Sequence, residues 1–165
     1  MRLWIAAFLR CLPLDALRPH WPLEGQAFAV LEQERVAALT PAARRAGVKP
    51  GMRRAGAAAI APEIELLPRD VQAESEALQG AALALLQYTP EIALADGDTL
   101  LLNVSASLML FRGPKALHRR VAATLRALDL RVSLGMAPTA AGAWLQKKNG
   151  RGRPRCATWC GWACA

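Results

Sequence analysis

LWIAAFL, residues 3–9, is an unbroken apolar run between Arg2 and Arg10, and its reading decides the fold. A run of that length suits a strand buried on both faces, while the Ala6–Ala7 pair keeps a helix open as the alternative. TLLLNV (99–104) reads as a second strand. LRVSLGM (130–136) alternates apolar and polar residues as a half-buried strand does. Between these stretches lie helical periods. Asp70 is placed to cap a long amphipathic helix with the stripe Val71, Leu78, Ala82, Leu85 and Leu86. Gly113-Pro114 opens another, with Leu117, Val121, Leu125 and Leu128 inside and Arg119, Arg120 and Arg126 outside. Pro138 opens a last helix reaching about Gln146. From Asp70 onward the order helix, strand, strand, helix, strand, helix predicts an α+β class, one sheet with helices packed on one face.

The segment between residues 10 and 70 has shorter punctuation. LPLDALRPHWP (12–22) reads as a helical turn ended by Pro19 and Pro22. AFAVL (27–31) and VAAL (36–39) flank the polar turn Glu32–Arg35 and predict a hairpin. Thr40-Pro41 is a helix start, a capping hydroxyl followed by proline at the first helical position, and Gly47 stops that helix. A second short helix is expected from about Met52 to Ile60, and IELL (64–67) is a brief extended piece.

The 165 residues carry a net charge of +8, but the distribution is uneven. Residues 147–165 hold Lys147, Lys148, Arg151, Arg153 and Arg155 and no acids, so residues 1–146 balance 16 basic against 13 acidic side chains. The basic character that points to nucleic acid therefore belongs largely to the tail. Cys11 stands far in sequence from Cys156, Cys160 and Cys164, which is not a disulfide framework and suits a reducing, cytoplasmic setting. Arg10 interrupts the N-terminal apolar run before it can serve as a signal peptide, and nothing approaches the roughly 18 apolar residues of a membrane span.

Three segments in register resemble the catalytic core of Y-family (UmuC-like) DNA polymerases. ALTPAARRAGVKPGM (38–52) resembles the family's fingers motif, Ser-Tyr-x-Ala-Arg running into Gly-Val-x-x-Gly-Met. Ala43, Arg44, Gly47, Val48, Gly51 and Met52 match it, and Pro41 replaces the tyrosine. DGDTLLLNVSAS (96–107) is similar to the palm strand Ser-Ile-Asp-Glu-x-x-Leu-Asp-Val-Thr, with Asp98 on the Asp of the acidic pair, Thr99 on its Glu and Asn103 on the later Asp. LRVSLGMAPTAAGAWLQ (130–146) resembles Ser-x-Gly-Ile-Ala-x-Asn-Lys-x-x-Ala-Lys. There Thr139 and Ala140 stand for Asn-Lys, and Trp144 for the second Lys. In the N-terminal strand, where the family has Asp-x-Asp, this chain has Trp4 and Ala6.

The resemblance implies a polymerase palm, a ferredoxin-like sheet with helices on one face, carrying a small fingers insertion. It divides the chain into a palm strand (1–10), a fingers-like lobe (11–68), the rest of the palm (69–146) and a basic Cys- and Trp-containing tail (147–165). The tail looks like an out-of-frame or eroded end, with the thumb and little-finger domains missing. Two-metal phosphoryl transfer needs several convergent carboxylates around two Mg²⁺ ions about 3.5–4 Å apart. Trp4 and Ala6 supply none, Thr99 is a poor ligand, and Asp98 alone cannot clamp two metals, so neither metal nor cofactor is expected.

Arg44 is at most a remnant of the triphosphate clamp that the family forms with its tyrosine. The pattern resembles the ImuB-type mutasome subunit, a degenerate polymerase-like accessory factor in damage-induced (SOS) translesion synthesis. That resemblance implies a RecA-like partner, an error-prone replicative-type polymerase and the sliding clamp, the clamp-binding segment being absent here. Two alternatives stand beside it: an active error-prone polymerase fragment, and a small α+β protein-interaction module.

Other residues have plainer readings. Asp96 and Asp98 suit a turn before a strand. His20 and His118 have no partner at catalytic spacing and read as surface residues, and Ser105 and Ser107 have no nucleophile context. Cys156, Cys160 and Cys164, four apart, do not match a zinc pattern. DNA contact, if the chain makes it, is assigned to Arg119, Arg120 and Arg126 and to the five basic residues of the tail.

Overall fold

The elements run β1 (Trp4–Leu9), α1 (Leu12–Asp15), β2 (Phe28–Glu32), β3 (Arg35–Leu39), α2 (Pro41–Arg45), α3 (Arg54–Ile60) and β4 (Glu65–Pro68). They continue with α4 (Val71–Leu85), β5 (Ile92–Ala95), β6 (Thr99–Asn103), α5 (Pro114–Ala127), β7 (Val132–Ala137) and α6 (Ala140–Lys148). This computed structural model describes residues 2–17 and 25–148. His20, the side chains of Lys147 and Lys148, and Arg151, Arg153, Arg155, Cys156, Cys160 and Cys164 lie outside the described residues. Two compact units divide the chain, one with the described residues of Met1–Leu12 and Ser75–Arg153, the other with those of Pro13–Glu74.

In the first unit the apolar run of residues 3–9 is a strand, and its helical alternative is closed. β1 lies inside a four-stranded sheet of order β5-β6-β1-β7, and every neighbouring pair is antiparallel. With α4 between β1 and β5 and α5 between β6 and β7, the connectivity is the split β-α-β arrangement of ferredoxin-like folds. One face of this sheet is closed by α4 and α5: Ile5, Ala7, Leu9, Leu100, Leu102 and Val104 pack with Leu78, Ala81, Leu85, Leu117, Val121 and Leu125. α6 lies against the other face, where Ala143 meets Ala6 and Ala137, flanked by Trp4 and Leu101. Its start is set by Thr139, whose hydroxyl accepts the Gly142 N–H at 3.1 Å, one residue beyond the expected Pro138.

Two helical stripes differ from the periodic reading. In α4, Asp70 caps as expected, its Oδ1 accepting the Ala73 N–H at 3.0 Å. Val71 is nevertheless 66% exposed and Leu86 48%, while Leu78, Ala81 and Leu85 are buried. Val71 stands in the unpacked first turn, and Leu86 follows the last helical residue, where the stripe has ended. In α5, Leu128 is exposed as the C-cap, and Leu130 enters the core in its place.

The second unit is a three-stranded sheet of order β3-β2-β4, with β2–β3 the expected hairpin and β4 parallel to β2. Thr40 organises it. Its buried hydroxyl accepts the Phe28 N–H at 3.0 Å, donates to the Gln26 carbonyl at 3.0 Å, and caps α2. Ala29, Leu31, Val36, Leu39, Ala43 and Val48 form the core with Ala57 and Ala61 of α3 and its end. α3 begins at Arg54 rather than near Met52.

Glu74 is buried because Arg69 grips both of its carboxylate oxygens, Nε to Oε1 at 2.6 Å and Nη2 to Oε2 at 2.8 Å. The same guanidinium reaches Glu32 Oε1 at 2.7 Å. The Glu74 hydrogen bond, and after it the Glu32 one, raises the Arg69 pKa against the opposing effect of burial.

Candidate functional site

Alternation along β1 divides its side chains between the two faces of the sheet. Ile5, Ala7 and Leu9 enter the core, so Trp4, Ala6 and Phe8 lie on the opposite face, the one that α6 touches. The pairings fill in three rows across that face. Trp4 stands between Asn103 and Ala137, Ala6 between Leu101 and Gly135, and Phe8 between Thr99 and Ser133.

The four positions singled out in sequence therefore do not form one cluster. Asp98 and Thr99 stand at the Phe8 end, where the Leu9 N–H donates to the Asp98 carbonyl at 2.9 Å. Trp4 is at the other end, four residues or about 13 Å along the strand. Ala6 lies between them. The β1 neighbour of Thr99 is thus Phe8, which sequence reading passed over.

The polar atoms of this face are engaged with one another. The Thr99 hydroxyl, fully buried, donates to Asp98 Oδ1 at 2.8 Å. Asn103 donates from Nδ2 to Glu91 Oε2 at 2.7 Å and accepts the Ser105 hydroxyl on Oδ1 at 2.6 Å. Trp144, at the position of a motif lysine, donates its indole N–H to Asp96 Oδ2 at 2.7 Å. Just past β1, Arg10 Nη2 donates to Ser133 Oγ at 2.8 Å, which places a guanidinium at the Phe8 end. Among the described residues no group of three or more His, Cys, Asp or Glu side chains could hold a metal ion. That donor set does not fit a two-metal centre, which needs convergent carboxylate oxygens.

The remaining candidates lie elsewhere. Arg44 sits half-buried on α2, next to the buried Ala43. Arg119, Arg120 and Arg126 are exposed on α5, the helix that covers the core face, so they lie behind the sheet from Trp4, Ala6 and Phe8. His118, read as a surface residue, is half-buried there. Burial lowers its pKa, Arg126 adds to the shift, and a backbone hydrogen bond to Leu134 opposes it. Ser107 is occupied structurally, donating to the Tyr88 carbonyl at 2.5 Å. No helix among the described residues is long and apolar enough to cross a membrane.

No curated protein sequence matches the chain. Solved structures do. A Dbh ternary complex aligns with a TM-score of 0.69 at 22% identity, covering 92% of this chain and 46% of that one. The Y-family DNA polymerase chimera Dbh-Dpo4(243-245)-Dbh aligns at 0.70 and 21% identity over 90% and 46%. DinB from Sulfolobus solfataricus aligns at 0.64 and 22% identity over 92% and 46%. The chain thus spans under half the length of these structures, and at such identities the likeness is one of fold. The impB/mucB/samB family matches residues 6–148, beginning at the Ala6 row of the site face. On that match and that shared palm architecture, the chain belongs to the impB/mucB/samB family, within the Y-family, UmuC-like polymerase superfamily.

Proposed function

We propose that this chain is a non-catalytic Y-family polymerase-like protein acting as an accessory factor in damage-induced translesion synthesis, of the ImuB type. One observation carries the reading: the site face of β1 carries Trp4, Ala6 and Phe8 and no carboxylate, and only Phe8 stands beside Thr99. Phosphoryl transfer by two metals depends on several carboxylates holding the ions between the attacking and leaving oxygens. Asp98, sharing a hydrogen bond with Thr99, offers one. Trp4, Ala6, Leu101 and Ala143 pack together on that face, which supports the reading.

On this reading the unit built on β1 is a palm and the other a fingers-like lobe, with Arg44 a vestige of nucleotide binding. DNA association is weak and sequence-independent, supplied by Lys147, Lys148, Arg151, Arg153 and Arg155. The protein works in the cytoplasm through a RecA-like partner, an error-prone replicative-type polymerase and the sliding clamp, as the ImuB resemblance implies. The test is primer extension by the purified chain with Mg²⁺ and then with Mn²⁺, against a preparation from cells carrying the empty vector. No extension is expected with either metal. Template-dependent incorporation above the control would overturn the reading and restore the active polymerase fragment.

A further inference from the structure

Met109 and Leu110 are the most exposed large apolar side chains among the described residues, at 95% and 78%. They stand on a knuckle whose backbone is pinned. The Gly113 N–H donates to the Leu108 carbonyl at 2.7 Å and the Phe111 N–H to Ser107 at 3.1 Å. Phe111 is held from inside, its ring edge-on to Tyr88 at 5.2 Å and capped by the Arg120 guanidinium at 5.6 Å. The chain thus anchors Leu108 and Phe111 against the core and holds the two residues between them in solvent. A single exposed apolar residue is ordinary, but an adjacent pair presented on an ordered turn is not.

The stretch of chain that carries the knuckle is charged with one sign, and the acid Glu91 reaches only its start, through Asn103. Residues 99–128 contain no Asp or Glu; Arg112 belongs to the knuckle itself, and Lys115 and Arg119, four residues apart on the α5 that follows it, are exposed as Arg112 is. Phosphate would satisfy these cations and leave Met109 and Leu110 in water. An acidic amphipathic protein segment satisfies both, since protein interfaces concentrate Met and Arg around an apolar centre. We propose that the 105–112 knuckle and the adjoining face of α5 form a docking surface for an acidic amphipathic segment of a partner protein. The surface is on the core-helix side of the sheet, away from Trp4, Ala6 and Phe8. It therefore goes beyond the non-catalytic reading, and the two stand or fall separately.

The probe is a fluorescent helical peptide with leucines at i, i+3, i+4 and i+7 and glutamates bordering them, titrated with the full chain. Two controls are the scrambled peptide and a glutamate-to-lysine version. We expect saturable binding that weakens by about tenfold or more in the double variant Met109→Ser/Leu110→Ser and in Arg112→Glu/Arg119→Glu. High salt should weaken it chiefly by slowing association. All four side chains are exposed, and unchanged thermal midpoints in the variants verify that the fold is intact. Absence of binding, equal binding of the scrambled peptide, or indifference to the Met109 and Leu110 changes would overturn the proposal. Displacement of the peptide by a short DNA duplex, with only the arginine variants impaired, would reassign the surface to nucleic acid.

Discussion

The two faces of the four-stranded sheet are built from the same strands and have different work. The core face is a continuous apolar surface, Ile5, Ala7 and Leu9 beside Leu100, Leu102 and Val104, closed by α4 and α5. The site face mixes Trp4, Ala6, Phe8, Thr99, Leu101 and Asn103 and meets α6 at Ala143. Hydrophobic stabilisation scales with apolar area removed from water, so the core face dominates the stability of this unit. The site face is then free to change its chemistry while the palm persists. A family fold without carboxylates on β1 is the outcome that such a division permits.

The largest expected effect tests the division directly. Leu102→Ala empties a fully buried core position and should cost about 2–5 kcal/mol in urea unfolding, whereas its neighbour Leu101→Ala, half-buried on the site face, should cost less than about 1.5 kcal/mol. Equal losses would mean that both faces hold the fold.

Next in size is Ala6→Asp, which puts a carboxyl at the fully buried Ala6 position in the middle row of the site face. Roughly 2–4 kcal/mol should be lost at pH 7, because an ionised group is desolvated without a partner. Burial raises the pKa of the introduced group, so the loss should shrink as pH falls and the carboxyl is protonated in both states. Mg²⁺ should not restore stability. Recovery with Mg²⁺ would mean that the remaining donors hold a metal, and would count against the proposed non-catalytic reading.

A smaller effect sharpens the role of α6. Trp144→Phe deletes the indole N–H that binds Asp96 while keeping an aromatic ring, and should cost about 1 kcal/mol. A loss well beyond that would make α6 part of the core rather than an occupant of the site face.

The smallest concerns His118, on the core-face helix. Its pKa is lowered in the folded protein, so the unfolded chain takes up the proton first as pH falls through about 6.5. Stability should therefore decline from neutral pH toward the folded pKa and level off below it. His118→Gln should remove that part of the decline when urea midpoints are compared across pH. An identical pH dependence in the variant would assign the decline to other groups.

Much of this was readable from residues alone. The strand character of 99–104 and 130–136, the α5 stripe Leu117, Val121 and Leu125, the Asp70 and Thr40 caps, and the want of any Asp or Glu before Asp15 follow from composition, spacing and local hydrogen-bonding chemistry. The buried Glu74 was not readable, because its partner Arg69 lies five residues earlier and outside the helix, where helical side-chain spacing does not predict the pairing. Nor was the company kept by Asp98 and Thr99. Side-chain alternation has a period of two, so a pattern assigns each residue of β1 to a face, and sliding the strand by two residues leaves that assignment intact. Once 3–9 is a strand, sequence determines that Trp4, Ala6 and Phe8 share a face and that β1 brings no carboxylate to it. Only the backbone pairing of β1 with β6 decided that Phe8, and not Trp4, stands beside Thr99, because register is set by hydrogen bonds between strands some ninety residues apart in the chain.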